Sequence, residues 1–235
     1  MGKRLRTQRR GRGTPSYRSP SHRHVADVRL PSLEGTGTVT DLIQAPGRSS
    51  PLAVIEFDGR SNYQLAAEGI KVGQTVTVGP GSVKSGNIME LSNIPEGTPV
   101  HNIEGMPGDG GKFVKAAGNS ASVVSRGEYV VLEMPSGELK EFNPGCRAAV
   151  GIIAGNGRVD KPLGKAGANV HKLRSKAKAN IHVAGIAMNA ADHPHGGGSH
   201  PQVGGPNCQS RMASPGQKVG FIAKKKRKKK KTGKR

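Results

Sequence analysis

The residues of this chain best equipped for chemistry lie in one short run, Asp192-His193-Pro194-His195-Gly196-Gly197-Gly198-Ser199-His200-Pro201. Imidazole can ligate a metal, move a proton or contact RNA, and each use needs different company. A tetrahedral metal site would draw on His193, His195, His200 and Cys208. That spacing matches no standard signature and is short of thiolates. A general base at His193 would need a nucleophile or substrate group that the chain does not supply. RNA contact needs neither. The rings can donate to phosphate or stack on a base, and Gly196, Gly197 and Gly198 give a backbone without Cβ that can lie directly against another surface. RNA contact is the preferred reading, and a loop folded only on its own protein is the bland one.

Other glycine-rich stretches tempt a nucleotide-site reading. Pro107-Gly108-Asp109-Gly110-Gly111-Lys112 has glycine and lysine, but neither the GxxxxGK(S/T) spacing nor a parallel β/α context. Gly155-Asn156-Gly157-Arg158 fails in the same way, and both read as turns. No paired carboxylates sit in an apolar setting, and no Gly-x-Ser-x-Gly elbow appears. No catalytic residue, no metal ligand and no small-molecule substrate is therefore assigned. An enzyme is not expected.

Charge points in the same direction as the histidine loop. The formal net charge is +21, from 37 Lys/Arg against 16 Asp/Glu. Residues 1–24 hold eight basic residues and no acid, and Lys224–Arg235 hold ten more, so the middle is nearly neutral. Charges this dense repel one another and bury too little apolar surface to offset ordering entropy. A polyanion with closely spaced phosphates resolves both problems by counterion release. Solvated, solubilising tails are the alternative. The expected phosphate contacts are Lys3, Arg4, Arg6, Arg9, Arg10 and Arg12 in the first arm. Lys161, Lys165, Lys172, Arg174, Lys176 and Lys178 form a second basic stretch. His193, His195, Gly196, Gly197 and Gly198 add close, shape-dependent contact.

Other partners fit less well. No apolar stretch approaches the ~20 residues that span a bilayer, and the basic ends lack the apolar face of an interfacial helix, so no membrane partner is expected. With no Trp, three Tyr and four Phe, stacking on aromatic platforms is not expected to dominate. Cys146 and Cys208 form no CxxC pair and suggest a reducing compartment without a disulfide framework. The Met1–Arg6 segment lacks the apolar stretch of a secretory signal, so a cytoplasmic location is expected. The Lys224–Lys231 run would also read as a nuclear localisation signal.

The elements that must position these residues are concentrated in the middle. Leu, Ile, Val and Phe total 46, of which 30 fall within residues 36–154, so a core can form there and not in the flanks. Thr36–Ala45, Leu52–Asp58, Gln74–Val78 and Asn87–Leu91 are short Val/Ile/Thr-rich runs separated by Gly/Pro clusters, as in a small sandwich or barrel. Thr98–Glu104, Ala121–Arg126, a hairpin of Glu128–Met134 and Gly137–Phe142 around Pro135-Ser136-Gly137, and Arg147–Ala154 make a second set. Residues 1–35 show neither helical nor strand period and read as an extended arm. Ala166–Ala179 fits either a short helix or a basic loop.

The run Asn189–Gly198 resembles the signature of the universal second protein of the large ribosomal subunit, the "L-two" family. Further matches follow in family order: Pro107–Lys112, Ala116-Ala117-Gly118, Leu132–Glu138, Cys146-Arg147-Ala148 and Gly164-Lys165-Ala166-Gly167. The likeness covers about the whole chain, and Met1–Arg12 looks like the archaeal or eukaryotic branch. It departs from bacterial members at Ser199-His200-Pro201-Gln202, and past Gly205 it thins.

The resemblance implies an all-β chain, an OB-fold followed by an SH3-like barrel, with long extended basic arms. The corresponding divisions are an arm at 1–35, the OB-fold at 36–96, the SH3-like barrel at 97–160 and a basic, Gly/His-rich extension at 161–235. It further implies a structural constituent of the large subunit and a primary rRNA binder. Such a protein supports subunit assembly, the peptidyl transferase region and intersubunit association. Its partners would be large-subunit rRNA, neighbouring ribosomal proteins and, at a bridge, the small subunit. No cofactor of its own is implied, although Mg²⁺ held by the surrounding rRNA fits the setting. The position once linked to peptide-bond formation in this family falls on His193, and the family's catalytic centre is RNA. A free-standing RNA chaperone or chromatin-type protein is the competing reading.

Overall fold

The computed structural model describes residues 2–32, 34–178 and 181–223, so the Lys224–Lys231 run lies outside the described residues. The chain divides into two compact units. One is Pro20–Gly164, and the other is drawn from both ends, Met1–Ser19 with Lys165–Arg235.

The Pro20–Gly164 unit is all-β, an OB-fold followed by an SH3-like barrel. Strands β1 (Gly35–Ile43), β2 (Leu52–Phe57), β3 (Arg60–Leu65), β4 (Thr75–Val78) and β5 (Ile88–Glu90) build the first barrel. Strands β6 (Pro99–His101), β7 (Ala121–Arg126), β8 (Val130–Glu133), β9 (Leu139–Phe142) and β10 (Arg147–Val150) build the second. Hydrogen bonding follows the order β3-β2-β1-β4-β5-β10-β6-β7-β8-β9. The last strand thus returns between the two barrels, pairing Ala148 with Met89 on one side and Ala149 with His101 on the other.

Local chemistry explains the elements. In the β8–β9 turn Gly137 takes φ +78°, and its N–H donates to the Met134 carbonyl at 2.8 Å, as the Pro-Ser-Gly sequence predicts. Strand β3 is absent from the sequence-based reading. Its opening Arg60-Ser61-Asn62 is polar and its outer half is exposed, so no apolar alternation marks it. The signal present was Asp58-Gly59, where both residues have positive φ, the pair that a tight hairpin turn demands.

Apolar burial follows the strands. Ile94, Val100, Ile103, Val123, Leu132 and Phe142 are among those filling the second barrel, and Val39, Ala53, Ile55, Ala66 and Val76 fill the first. A third cluster joins them, with Ile153 from beyond β10 packed against Leu52 and Leu65 of the first barrel.

The arm does not behave uniformly. Val28 and Leu30 are buried in the β unit while Asp27 and Arg29 between and beside them are exposed, a strand-like alternation too short to stand out in the sequence. This corrects the expectation that 1–35 has no periodicity. The segment is held by body side chains on its carbonyls. Arg48 Nη2 donates to Ala26 at 3.0 Å, Lys115 Nζ to Val28 at 3.1 Å, Gln64 Nε2 to Arg29 at 2.6 Å and Arg147 Nη1 to Pro31 at 2.6 Å. The Leu30 N–H donates in turn to Gly110 at 2.9 Å.

The described residues of the unit made from the ends have little regular structure. They contain α1 (Arg6–Gly11), α2 (Ala166–Arg174) and a two-residue parallel pair, β11 (Cys208–Gln209) with β12 (Phe221–Ile222). Helix α1 is a second correction to the extended arm. Of the Ala166–Ala179 segment, Ala166–Arg174 is helix α2 and a turn follows it, while Ala179 lies outside the described residues. His171, Lys172 and Arg174 occupy the last turn of α2, where cations suit the helix dipole, and the helix buries no residue. Among the described residues of this unit, only Leu5 and Val219 are buried apolar side chains.

Candidate nucleic-acid interface

Leu5 is a single apolar residue set among Lys3, Arg4 and Arg6, and it is buried while those neighbours stay exposed or half-buried. The start of the first arm lies against the histidine loop. The Lys3 backbone N–H donates to Asp192 Oδ1 at 3.2 Å, and Lys3 Nζ lies 3.5 Å from Asp192 Oδ2. Gly2 sits so close to the Ala191 carbonyl that a Cβ would overlap it. The ion pair itself is exposed on the lysine side and contributes at most about 1 kcal/mol. Its value is positional.

The loop from Asn189 to Gly198 is folded on itself. The Gly196 N–H donates to the His193 carbonyl at 2.9 Å and the Gly197 N–H to Met188 at 3.1 Å. A Cβ on Gly196 would overlap the Asn189 carbonyl and reach within 2.6 Å of the Met188 carbonyl, and one on Gly197 would meet Ala190 Cβ at 2.9 Å. Gly196 and Gly197 are required by their own loop, whereas at Gly198, with φ +93°, a Cβ would meet only the His200 carbonyl oxygen at 3.8 Å.

The two histidines are coupled. Their ring centroids lie 5.0 Å apart, and the His195 N–H donates to His193 Nδ1 at 3.0 Å, which leaves the neutral His193 proton on Nε2. Burial, with a smaller contribution from His195, holds the His193 pKa below its ordinary 6.5. Gly185 lies against the His193 ring, with no room for a Cβ. Among the described residues, no group of three or more His, Cys, Asp and Glu gathers as a metal ion would require. No described helix is long and apolar enough to cross a membrane.

The expected basic residues are brought together more tightly than their sequence separation suggests. Lys3, Arg4, Arg6, Arg9, Arg10, Arg12, Lys165, Lys172, Arg174, Lys176 and Lys178 share one unit with His193, His195 and the triple glycine, while Lys161 belongs to the β unit. Arg9 and Arg10 close α1, and the Arg10 guanidinium lies 5.9 Å from the Tyr17 ring centroid. Lys165 precedes α2 without a side-chain capping hydrogen bond, and Lys172, Arg174, Lys176 and Lys178 are exposed. Sequence reasoning missed Lys218, which lines the same groove as Arg4 and Arg9. Its only signal was a lone cation in a Gly/Ser-rich stretch.

The Gly-rich segment Pro107–Lys112 has an occupant within the protein. Glu104 is fully buried, and its carboxylate accepts the N–H groups of Gly108 at 3.2 Å, Gly110 at 3.1 Å and Arg147 at 3.0 Å. The Arg147 guanidinium completes the set at 2.9 Å. Asp109 accepts from Gly105, Met106 and Gly111 and pairs with Lys112 at 3.1 Å. These amides are engaged by carboxylates of the chain itself, as the turn reading anticipates.

A family model described as Ribosomal Proteins L2, C-terminal domain, matches residues 84–217. The large ribosomal subunit protein uL2 of Picrophilus torridus is 51% identical over 231 residues, covering 97% of this chain and 99% of that protein. The uL2 of Methanosphaera stadtmanae is 51% identical over 245 residues and covers 100% of both chains. That of Archaeoglobus fulgidus is 50% identical over 229 residues, 95% of this chain and 97% of its own. The two-barrel body, the self-folded histidine loop and this end-to-end likeness agree, and the chain belongs to the universal L2 family of ribosomal proteins, in its archaeal-type branch.

Proposed function

We propose that this chain, by family a structural constituent of the large ribosomal subunit in the cytoplasm, is a primary rRNA-binding protein. Its end-derived unit is the part that enters RNA. The observation that carries this reading is the composition of that unit. Eleven of the twelve expected lysine and arginine contacts gather there around only two buried apolar side chains, Leu5 and Val219, among the described residues. Such a body gains little from burial and suffers from self-repulsion, and phosphates offset both.

The roles implied by the family resemblance follow the same division of labour. The β unit holds the apolar core, and the histidine loop, braced by Asp192 and Lys3, is the shaped contact. Support of the peptidyl transferase region and of subunit association belongs to this proposal, as does Mg²⁺ carried by the surrounding rRNA. No catalytic step is assigned to the chain.

The test is sedimentation. The chain should remain stoichiometric with large subunits through high-salt gradients, and Arg4→Glu with Arg9→Glu should reduce its incorporation. Recovery only in free fractions would end the ribosomal reading. Binding of the free protein to rRNA should weaken with salt at a slope of roughly −0.7 to −0.9 per phosphate contact.

A further inference from the structure

Within the end-derived unit lies a groove of about 1200 Å³, larger than the roughly 300–1,000 Å³ of small-molecule pockets. Its lining is chemically divided. Arg4, Arg9 and Lys218 contribute cations, while Ile181, Val183 and Ile222 contribute apolar surface. These three are large apolar side chains left open, 84%, 59% and 48% exposed respectively. The one carboxylate in the lining, Asp192, is already engaged by Lys3.

We propose that this groove is a binding site for an unpaired RNA strand, whose phosphates meet the cations while its bases rest on Ile181, Val183 and Ile222. The inference rests on the rRNA-binding reading above and sharpens it from RNA in general to single-stranded, base-exposed RNA.

Two features select that occupant. A duplex presents phosphates and sugars outward and hides its base faces, so it would meet the cations and leave the apolar surface wet. An unpaired strand carries both chemistries at nucleotide spacing, and base faces associate with apolar and aromatic side chains regardless of sequence. Tyr17, half-buried in the same lining and capped by Arg10, offers a ring to such a base. A second copy of the chain would bring like charge into a basic groove and is disfavoured for that reason.

The experiment uses the full chain in two settings. Free protein is titrated with a single-stranded oligoribonucleotide and with a hairpin of equal phosphate number. The expected result is tighter binding of the single strand by about tenfold, lost in Ile181→Asn with Val183→Asn while hairpin binding and salt slope stay unchanged. Both positions are exposed, so the substitutions leave folding intact. Equal affinity for the two RNAs, or equal losses in the variant, overturns the proposal.

In isolated large subunits, ultraviolet crosslinking should join peptides containing Tyr17 or Ile181–Val183 to unpaired nucleotides. If the chain is present but these peptides crosslink to paired nucleotides or to another protein, the groove assignment falls and the rRNA-binding reading stands. If the chain is absent from large subunits, both fall.

Discussion

Arg147 holds the fully buried Glu104 with one nitrogen at 2.9 Å and reaches the Pro31 carbonyl with another at 2.6 Å. A single side chain thereby ties the Gly108–Gly110 turn, the end of the second barrel and the first arm together. Burial alone would raise the Glu104 pKa, but the Arg147 side chain and the N–H groups of Arg147, Gly108 and Gly110 outweigh it, so it lies below the ordinary 4.5.

Removing either partner strands a buried charge. Arg147→Met should cost about 3–5 kcal/mol in urea denaturation of the full chain. Because the folded pKa of Glu104 is depressed, its stabilisation is fully present above about pH 4.5 and is lost as pH falls through the folded value. Glu104→Gln should therefore lower stability at neutral pH and flatten its decline below pH 4.5. An unchanged acid limb would show that this carboxylate is not responsible.

The strap formed by residues 26–31 should behave as core. Leu30→Ala is expected to cost about 2–5 kcal/mol, as for other buried leucines. Val25→Ala, at a position 44% exposed, should change the urea midpoint by no more than about 0.5 kcal/mol. Similar small effects at both positions would place the strap outside the cooperative unit.

Within the triple glycine the three positions should differ. Gly196→Ala sets a methyl against the Asn189 and Met188 carbonyls and should sharply reduce recovery in large subunits. Gly198→Ala meets nothing within 3.4 Å and carries only the strain of φ +93°, a cost of about 1–2 kcal/mol. Its incorporation should be reduced less. Quantifying each variant in the large-subunit peak against free fractions checks the order.

His193 should titrate by NMR with a midpoint below 6.5, and His195→Ala should move that midpoint upward without restoring it fully, since burial is the larger cause. A histidine with a lowered folded pKa takes up protons more readily when unfolded, so its contribution to stability is fully present above about 6.5 and is lost as pH falls below that through the folded value. A midpoint at or above 6.5 would contradict the packed ring seen against Gly185.

Much of this protein was legible in the residue order. Strand positions such as Ala121–Arg126 and Leu139–Phe142 follow from alternation and turn chemistry, which act over a few residues and need no knowledge of the fold. The basic ends announce a polyanion because net charge is a property of composition. The Asn189–Gly198 run carries the family likeness for the same local reason.

Tertiary structure alone decided which distant residues meet. Nothing local to Lys3 indicates that Asp192 accepts its N–H, or that Leu5 and Val219 are the two buried apolar side chains among the described residues of that unit. The Pro107–Lys112 turn could be told from a phosphate loop by spacing, but its actual occupant, Glu104 held by Arg147, depends on strand β10 returning between the barrels. Side-chain type and periodicity are written along the chain, whereas burial and pairing depend on which segments the fold makes neighbours, and that is settled only when the whole chain closes.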